Sequence, residues 1–239
     1  MLRAFAPWPR EVARTEFLDH RGTSPIELAE CLGDIARLNR LGPTQALLAH
    51  VAPFFDRHRG PEPLRVLDLG TGAADIPVAL VKWARARGRR VTVLALDAQP
   101  DVLACARSAA RAFPEVRLAA GDALKPPVRP GGVDLALCSL TLHHLSEEAV
   151  VALLRLMADR CRLGFIVSDL TRSRLAYAAA WLATRALSHN RLTRHDGPLS
   201  VRRAYTRAEL ARLAAAAGVQ GMRWRTALFF RLIGVYEKR

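Results

Sequence analysis

Lysine is nearly absent from this chain of 239 residues: three occur, against 33 arginines. The formal charge of +14 is thus an arginine charge, and it fits a GC-rich coding sequence as readily as an anionic partner. Cysteine is scarce as well. Cys31, Cys105, Cys138 and Cys161 form no C-x-x-C pair. That argues against a zinc or disulfide framework, predicts no metal site, and points to a reducing, cytoplasmic compartment. No apolar run approaches the roughly 18 residues of a membrane-spanning helix. Met1 to Arg10 has two prolines and no apolar core, so no signal peptide is expected.

A hydrophobic fraction of 51% is ample for a core, and the length suits one domain with elaborations. The charge is unevenly spread. Residues 1–60 carry 8 basic and 7 acidic side chains, residues 61–170 carry 14 and 12, and residues 171–239 carry 14 and 3. The last third reads as a cationic cap. It could dock an acidic carrier protein or an anionic membrane surface. Tyr177, Trp181, Tyr205 and Trp224 form no stacking motif among its arginines, which argues against nucleic acid.

The stretch Arg65 to Pro77 organises the chain. Val66, Leu67 and Leu69 read as a strand buried on both faces. Gly70 and Gly72 make a sharp turn, and Asp75, Ile76 and Pro77 open a helix. A dinucleotide fingerprint would carry a third glycine where Asp75 stands. An aspartate there repels a pyrophosphate, and Asp68 adds a second negative charge. Two carboxylates around the turn suit a positively charged ligand without phosphate, such as S-adenosyl-L-methionine.

Val66 to Asp75 resembles the first motif of the class I S-adenosylmethionine-dependent methyltransferases. The resemblance implies an acid after the second strand for the ribose hydroxyls. Asp97 stands there, 25 residues after Gly72, at the end of Val91 to Asp97. It also implies an acid after the third strand near the adenine, and Val116 to Ala123 supplies Asp122. A fourth strand, Val133 to Leu140, is followed by Thr141-Leu142-His143-His144-Leu145, and a fifth is Phe165 to Asp169. By resemblance the cofactor residues are Asp68, Gly70, Thr71, Gly72, Asp75, Asp97, Ala98, Gly121, Asp122, Ala123, Ser139 and Leu140. The bound forms are S-adenosyl-L-methionine and its product S-adenosyl-L-homocysteine.

The fold class expected is α/β: a Rossmann-like, doubly wound, mostly parallel seven-stranded sheet. Helices cover both faces, and the last strand is antiparallel. Residues 1–60 read as an N-terminal helical cap, with Glu11 to Asp19 a short amphipathic helical piece. Residues 61–239 read as the Rossmann-like methyltransferase domain. Within it, residues 171–205 form a helical insertion after strand five that would act as a substrate lid. There Leu175, Ala178, Ala179, Leu182, Ala186 and Leu187 make an apolar stripe suited to a greasy aromatic acceptor. His195 to Tyr205 reads as irregular because it contains Gly197 and Pro198. Thr206 caps a last helix ended by Gly218. Val219 to Thr226 and Leu228 to Tyr236 read as the closing strands.

Ligands of such sheets sit beyond the carboxyl ends of the strands. His144 is a candidate base there, against the alternative that the His143-His144 pair only packs and borders the pocket. His195 beside Asp196 is the sharper candidate, since a carboxylate can poise a histidine near neutral pH. Arg172 would either orient an anionic acceptor or pair with Asp169. His143, Asn39, Asp196, Arg203 and Tyr177 are candidate acceptor contacts, although for Asn39 the sequence favours a solvated polar helix end. The chain lacks the Asn/Asp-Pro-Pro-Tyr/Phe tetrapeptide of enzymes that methylate exocyclic or amide nitrogens. The resemblance therefore implies a transferase of secondary or quinone-type metabolism, such as antibiotic biosynthesis. It would O-methylate a phenolic, quinol or polyketide-derived acceptor. The alternative is C- or N-methylation of a carrier-bound, lipid-like or RNA acceptor docked on the cationic third. Monomer and homodimer are equally compatible with the sequence.

Overall fold

The computed structural model describes residues 8–20 and 22–238. Most of the stretch read for a signal peptide therefore lies outside the described residues. Two helices come first, α1 (Pro25–Arg40) and α2 (Pro43–Arg57). The core then alternates β1 (Leu64–Leu69), α3 (Asp75–Arg85), β2 (Val91–Asp97), α4 (Pro100–Ala110), β3 (Val116–Ala120), β4 (Val133–Ser139), α5 (Glu147–Arg160) and β5 (Cys161–Leu170). After these come α6 (Arg174–Leu187), α7 (Arg191–Arg203), α8 (Arg207–Ala216), β6 (Arg223–Ala227) and β7 (Arg231–Glu237). The sheet order is β3-β2-β1-β4-β5-β7-β6, and β7 is antiparallel to both of its neighbours. This is the Rossmann-like, mostly parallel seven-stranded sheet with an antiparallel last strand that the sequence implies.

Alternation along β1 builds two cores. Leu67 and Leu69 join the layer of α5 and α8, with Leu153, Met157 and Leu213. Leu64 and Val66 join the opposite layer, with Leu80 and Val81 of α3. Leu47, Val51 and Phe54 of α2 belong to that second cluster. So α2, which the sequence places in a cap of residues 1–60, shares its hydrophobic core with β1. α1 packs separately: Leu28 and Leu32 meet Val102 of α4.

Three local expectations are corrected. Glu11 to Asp19 holds one short 3-10 turn, Phe17–Asp19, in an otherwise irregular strap. Arg10 anchors the strap by donating to the carbonyls of Arg203, His143 and Leu145. The stretch from His195 lies mostly inside α7, which runs through Pro198. The Asn190 side chain caps that helix by accepting from the Leu192 and Thr193 N–H groups. Gly197 lets α6 pack close, since a Cβ there would stand 2.5 Å from Thr184 Cγ2. Finally, Leu175, Leu182 and Leu187 are exposed rather than turned toward a ligand.

The cationic third is also less bare than its composition suggests. Arg191, Arg202 and Arg212 pair with Glu27, Glu11 and Glu147 from the rest of the chain. Among the described residues, no helix is long and apolar enough to cross a membrane.

Candidate active site

The site begins where β1 ends. Gly70 has φ +71°, and a Cβ there would lie 2.3 Å from Thr141 Oγ1, so the bend requires glycine. Two bonds tie the bend to the end of β2. Thr71 N–H donates to the Leu96 carbonyl at 2.8 Å, and Gly72 N–H donates to Asp97 Oδ2 at 2.9 Å. Asp97 Oδ1 also accepts from Gln99 N–H at 3.0 Å. Burial pushes the Asp97 carboxyl above its ordinary range, and these N–H donors oppose that rise. Asp68 is 2% exposed. Burial, reinforced by the charges of Asp75 and Asp97, raises its pKa to about 7. The bend is therefore an acidic pocket; among the described residues that line the cavity, Arg231 is the one arginine or lysine.

Arg231 enters at the start of β7, paired in register with Leu170 at the end of β5. It is 5% exposed, and burial lowers its pKa to about 10. Its Nη2 donates to Asn39 Oδ1 at 2.7 Å, and Asn39 Nδ2 donates to Asp75 Oδ2 at 2.9 Å. A chain of polar contacts thus runs from the last strand through α1 to the first turn of α3. Among the described residues, Thr71 Oγ1 and Arg231 Nε are buried without hydrogen-bond partners, and both residues line the same cavity. Unused polar atoms of this kind are ready for a bound ligand.

That cavity measures about 450 Å³. One end is the acidic bend. The other is a chamber of small and apolar side chains: Ala176, Ala179, Ala180 and Ala183 of α6, with Phe229 and Phe230 of the β6–β7 turn. Phe229 and Phe230 both have φ +55°, a conformation that side chains pay for with strain. The hairpin thereby presents two consecutive aromatic residues to the cavity.

Between the two ends lies a cluster of histidines and acids. His143 Nδ1 is 2.6 Å from Asp169 Oδ1, and His143 N–H donates to Asp169 Oδ2 at 3.2 Å. His144 Nδ1 is 3.0 Å from Asp19 Oδ1. Glu16 stands opposite, 3.6 Å from His143 Nε2 and 3.8 Å from His144 Nε2. Burial lowers the His144 pKa, but Asp19 and Glu16 outweigh it and hold the imidazole above its ordinary value.

The structure brings all twelve sequence-derived cofactor residues to this cavity, with His143, His144, Asn39 and Asp196. Asn39 is a buried bridge, not a solvated helix end. Four candidates lie elsewhere. His195 stacks on Phe17, with ring centroids 3.9 Å apart, and Asp196 holds its Nδ1 at 2.7 Å. Arg172 is spent on bracing: Nε donates to the Trp8 carbonyl at 2.6 Å and Nη2 to Glu209 Oε1 at 2.6 Å. Arg203 donates to the Arg14 and His144 carbonyls. Tyr177 packs edge-on against Trp8. Sequence reasoning missed Glu16, Asp19, Arg231 and the two phenylalanines. One signal was present: a lone arginine opening an otherwise apolar strand.

Residues 66–164 match a protein family described as a methyltransferase domain. No curated protein matches the sequence. Among solved structures, a candidate O-methyltransferase from Nostoc punctiforme is 19% identical, with a TM-score of 0.63 over 96% of this chain and 64% of its own. A methyltransferase from Aquifex aeolicus is 18% identical, with a TM-score of 0.59 over 90% of this chain and 98% of its own. Human N-acetylserotonin methyltransferase, solved with S-adenosylmethionine, is 16% identical, with a TM-score of 0.62 over 90% of this chain and 56% of its own. The chain thus spans less than two thirds of the first and third of these proteins. At such identities the likeness is one of fold.

Proposed function

We propose that this chain, whose residues 66–164 match a methyltransferase domain, is a class I S-adenosylmethionine-dependent methyltransferase that methylates an oxygen of a small phenolic, quinol or polyketide-derived acceptor. One observation carries the reading: an acidic glycine bend and an apolar chamber lined by alanine and phenylalanine share a single cavity. S-adenosylmethionine supplies an activated methyl group, which an acceptor oxygen takes by in-line displacement at carbon.

The protein's part is then placement and electrostatics. Asp68, Asp75 and Asp97 favour a ligand that carries positive charge. Thr71 Oγ1 and Arg231 Nε offer unused polar atoms beside them. The alanines of α6 leave room for a ring, and Phe229 and Phe230 give it an apolar wall. The His143–His144–Glu16 cluster would receive the hydroxyl to be methylated.

Purified protein should bind S-adenosylmethionine and transfer its methyl group to members of a phenol and hydroquinone panel, with O-methyl products identified by mass spectrometry. Tight cofactor binding without turnover on any member would count against the reading.

A membrane-associated, lipid-like acceptor is the second reading, and α6 favours it. Its inner face lines the cavity while Leu175, Trp181, Leu182 and Leu187 stand exposed on the outside, beside the exposed Arg174 and Arg185. Such a face suits an anionic bilayer surface. Cosedimentation with phosphatidylglycerol vesicles, weakened by Leu182→Glu, would support it; no sedimentation at low salt would remove it.

A further inference from the structure

The cluster at the middle of the cavity has a feature that packing alone does not explain. Each histidine has its Nδ1 held by a carboxylate, His143 by Asp169 at 2.6 Å and His144 by Asp19 at 3.0 Å. A carboxylate on Nδ1 favours the N–H there, and in the neutral ring that a metal ion binds, Nε2 is then the electron-pair donor. Both Nε2 atoms are turned to the same carboxylate, that of Glu16, at 3.6 and 3.8 Å. Those separations are too long for hydrogen bonds. Among the described residues, Glu16 Oε1 has no hydrogen-bond partner, although its side chain is only 5% exposed. Arg203 Nε is 3.7 Å from Oε1, near enough to lend charge but too far to donate, and it too is unpartnered. Three electron-pair donors thus converge in one place on the cavity wall.

We propose that Glu16, His143 and His144 bind a divalent first-row transition metal ion such as Zn(II). The donor atoms lie within 4.8 Å of one another. Two ligands about 2.1 Å from one tetrahedral ion stand about 3.4 Å apart, so the observed spacing needs only small side-chain adjustments. Two imidazoles with one carboxylate form a donor set that such ions favour over magnesium or calcium. Asp169 and Asp19 then act as outer carboxylates that orient the imidazoles and raise their basicity. All three ligands line the cavity, so the remaining coordination positions open toward it. A cation there would lower the pKa of an acceptor hydroxyl placed against it. That last consequence rests on the proposed methyl transfer; the site itself does not.

The test is metal binding, measured on the full chain after chelator treatment, with no acceptor present. Titration with Zn(II) should show one equivalent bound, and Co(II) should give visible d–d bands at the same stoichiometry. Glu16→Gln and His144→Ala should each weaken binding by about a hundredfold or more, and Asp19→Asn by about ten- to a hundredfold. Circular dichroism and S-adenosylhomocysteine affinity report whether each variant is folded. His50→Ala, at a half-buried position of α2 outside the cavity lining, should bind as the parent does. No stoichiometric binding by the parent, or binding that survives Glu16→Gln in a folded variant, overturns the proposal. A failed acceptor panel would leave this titration unaffected, so the two readings fail separately.

Discussion

Arg231 Nη2 donates to Asn39 Oδ1 at 2.7 Å across 192 residues of sequence. Through Asn39 Nδ2 the same contact reaches Asp75, so α1, α3 and β7 are held together at the mouth of the acidic bend. Asn39→Ala would leave a buried guanidinium N–H and a carboxylate oxygen short of partners. Each such group costs about 1–3 kcal/mol. We expect a clear fall in denaturant midpoint with an unchanged m-value. A change below about 0.5 kcal/mol, the range of ordinary surface substitutions, would show the bridge to be incidental.

Asp68 gives a pH dependence whose sign is set by burial. Its folded pKa of about 7 lies above the unfolded value near 3.9, so the protonated form is the one the empty fold favours. Its contribution to stability is complete below about pH 4 and is lost as the pH rises through about 7. A cationic ligand in the bend favours the ionised form instead. S-adenosylmethionine affinity should therefore rise by up to about tenfold per pH unit approaching pH 7, then level off. Calorimetry across pH 5.5 to 8.5, roughly the window where this group titrates, should show that slope flattened in Asp68→Asn.

Asp196 latches the strap to α7. Its carboxylate accepts from the Phe17 and Leu18 N–H groups, each at 2.9 Å, and so fastens the strap over the cavity. Asp196→Ala should speed hydrogen exchange at those two amides by about tenfold or more, equivalent to about 1.4 kcal/mol of lost protection. Core amides in β1 and β4 should keep their rates. Uniform acceleration would mean general destabilisation and would sink the latch.

Ala183 tests the chamber. It lies on the inner face of α6, where a large side chain would intrude on the acceptor's share of the cavity. Ala183→Phe should raise KM for aromatic acceptors by about tenfold, roughly 1.4 kcal/mol. Cofactor Kd should stay within about twofold of the parent. If instead cofactor binding collapses and acceptor KM holds, the two ends of the cavity have been assigned the wrong way round.

The sheet and its acidic bend were legible in the sequence because they are local. A buried strand, a glycine bend and a helix start occupy Arg65 to Pro77 without a break. Asp97, Asp122 and the turn after β4 then recur at the ends of consecutive strands. A parallel sheet places those strand ends together, so order along the chain predicts position in space. The acceptor end has no such rule. His195 and Asp196 looked poised as neighbours in an irregular segment, but Asn190 capped a helix through them and turned the histidine onto Phe17.

What the sequence determined by itself was the scaffold and the acidic bend, since period and turn chemistry act within a few residues. The tertiary structure decided which side chains meet across the cavity. His144 and Asp19 are 125 residues apart, and Glu16 joins them because Arg10, Asp196 and Arg203 pin the strap that carries it. Convergence of that kind depends on packing between elements, and packing leaves no periodic trace in the chain.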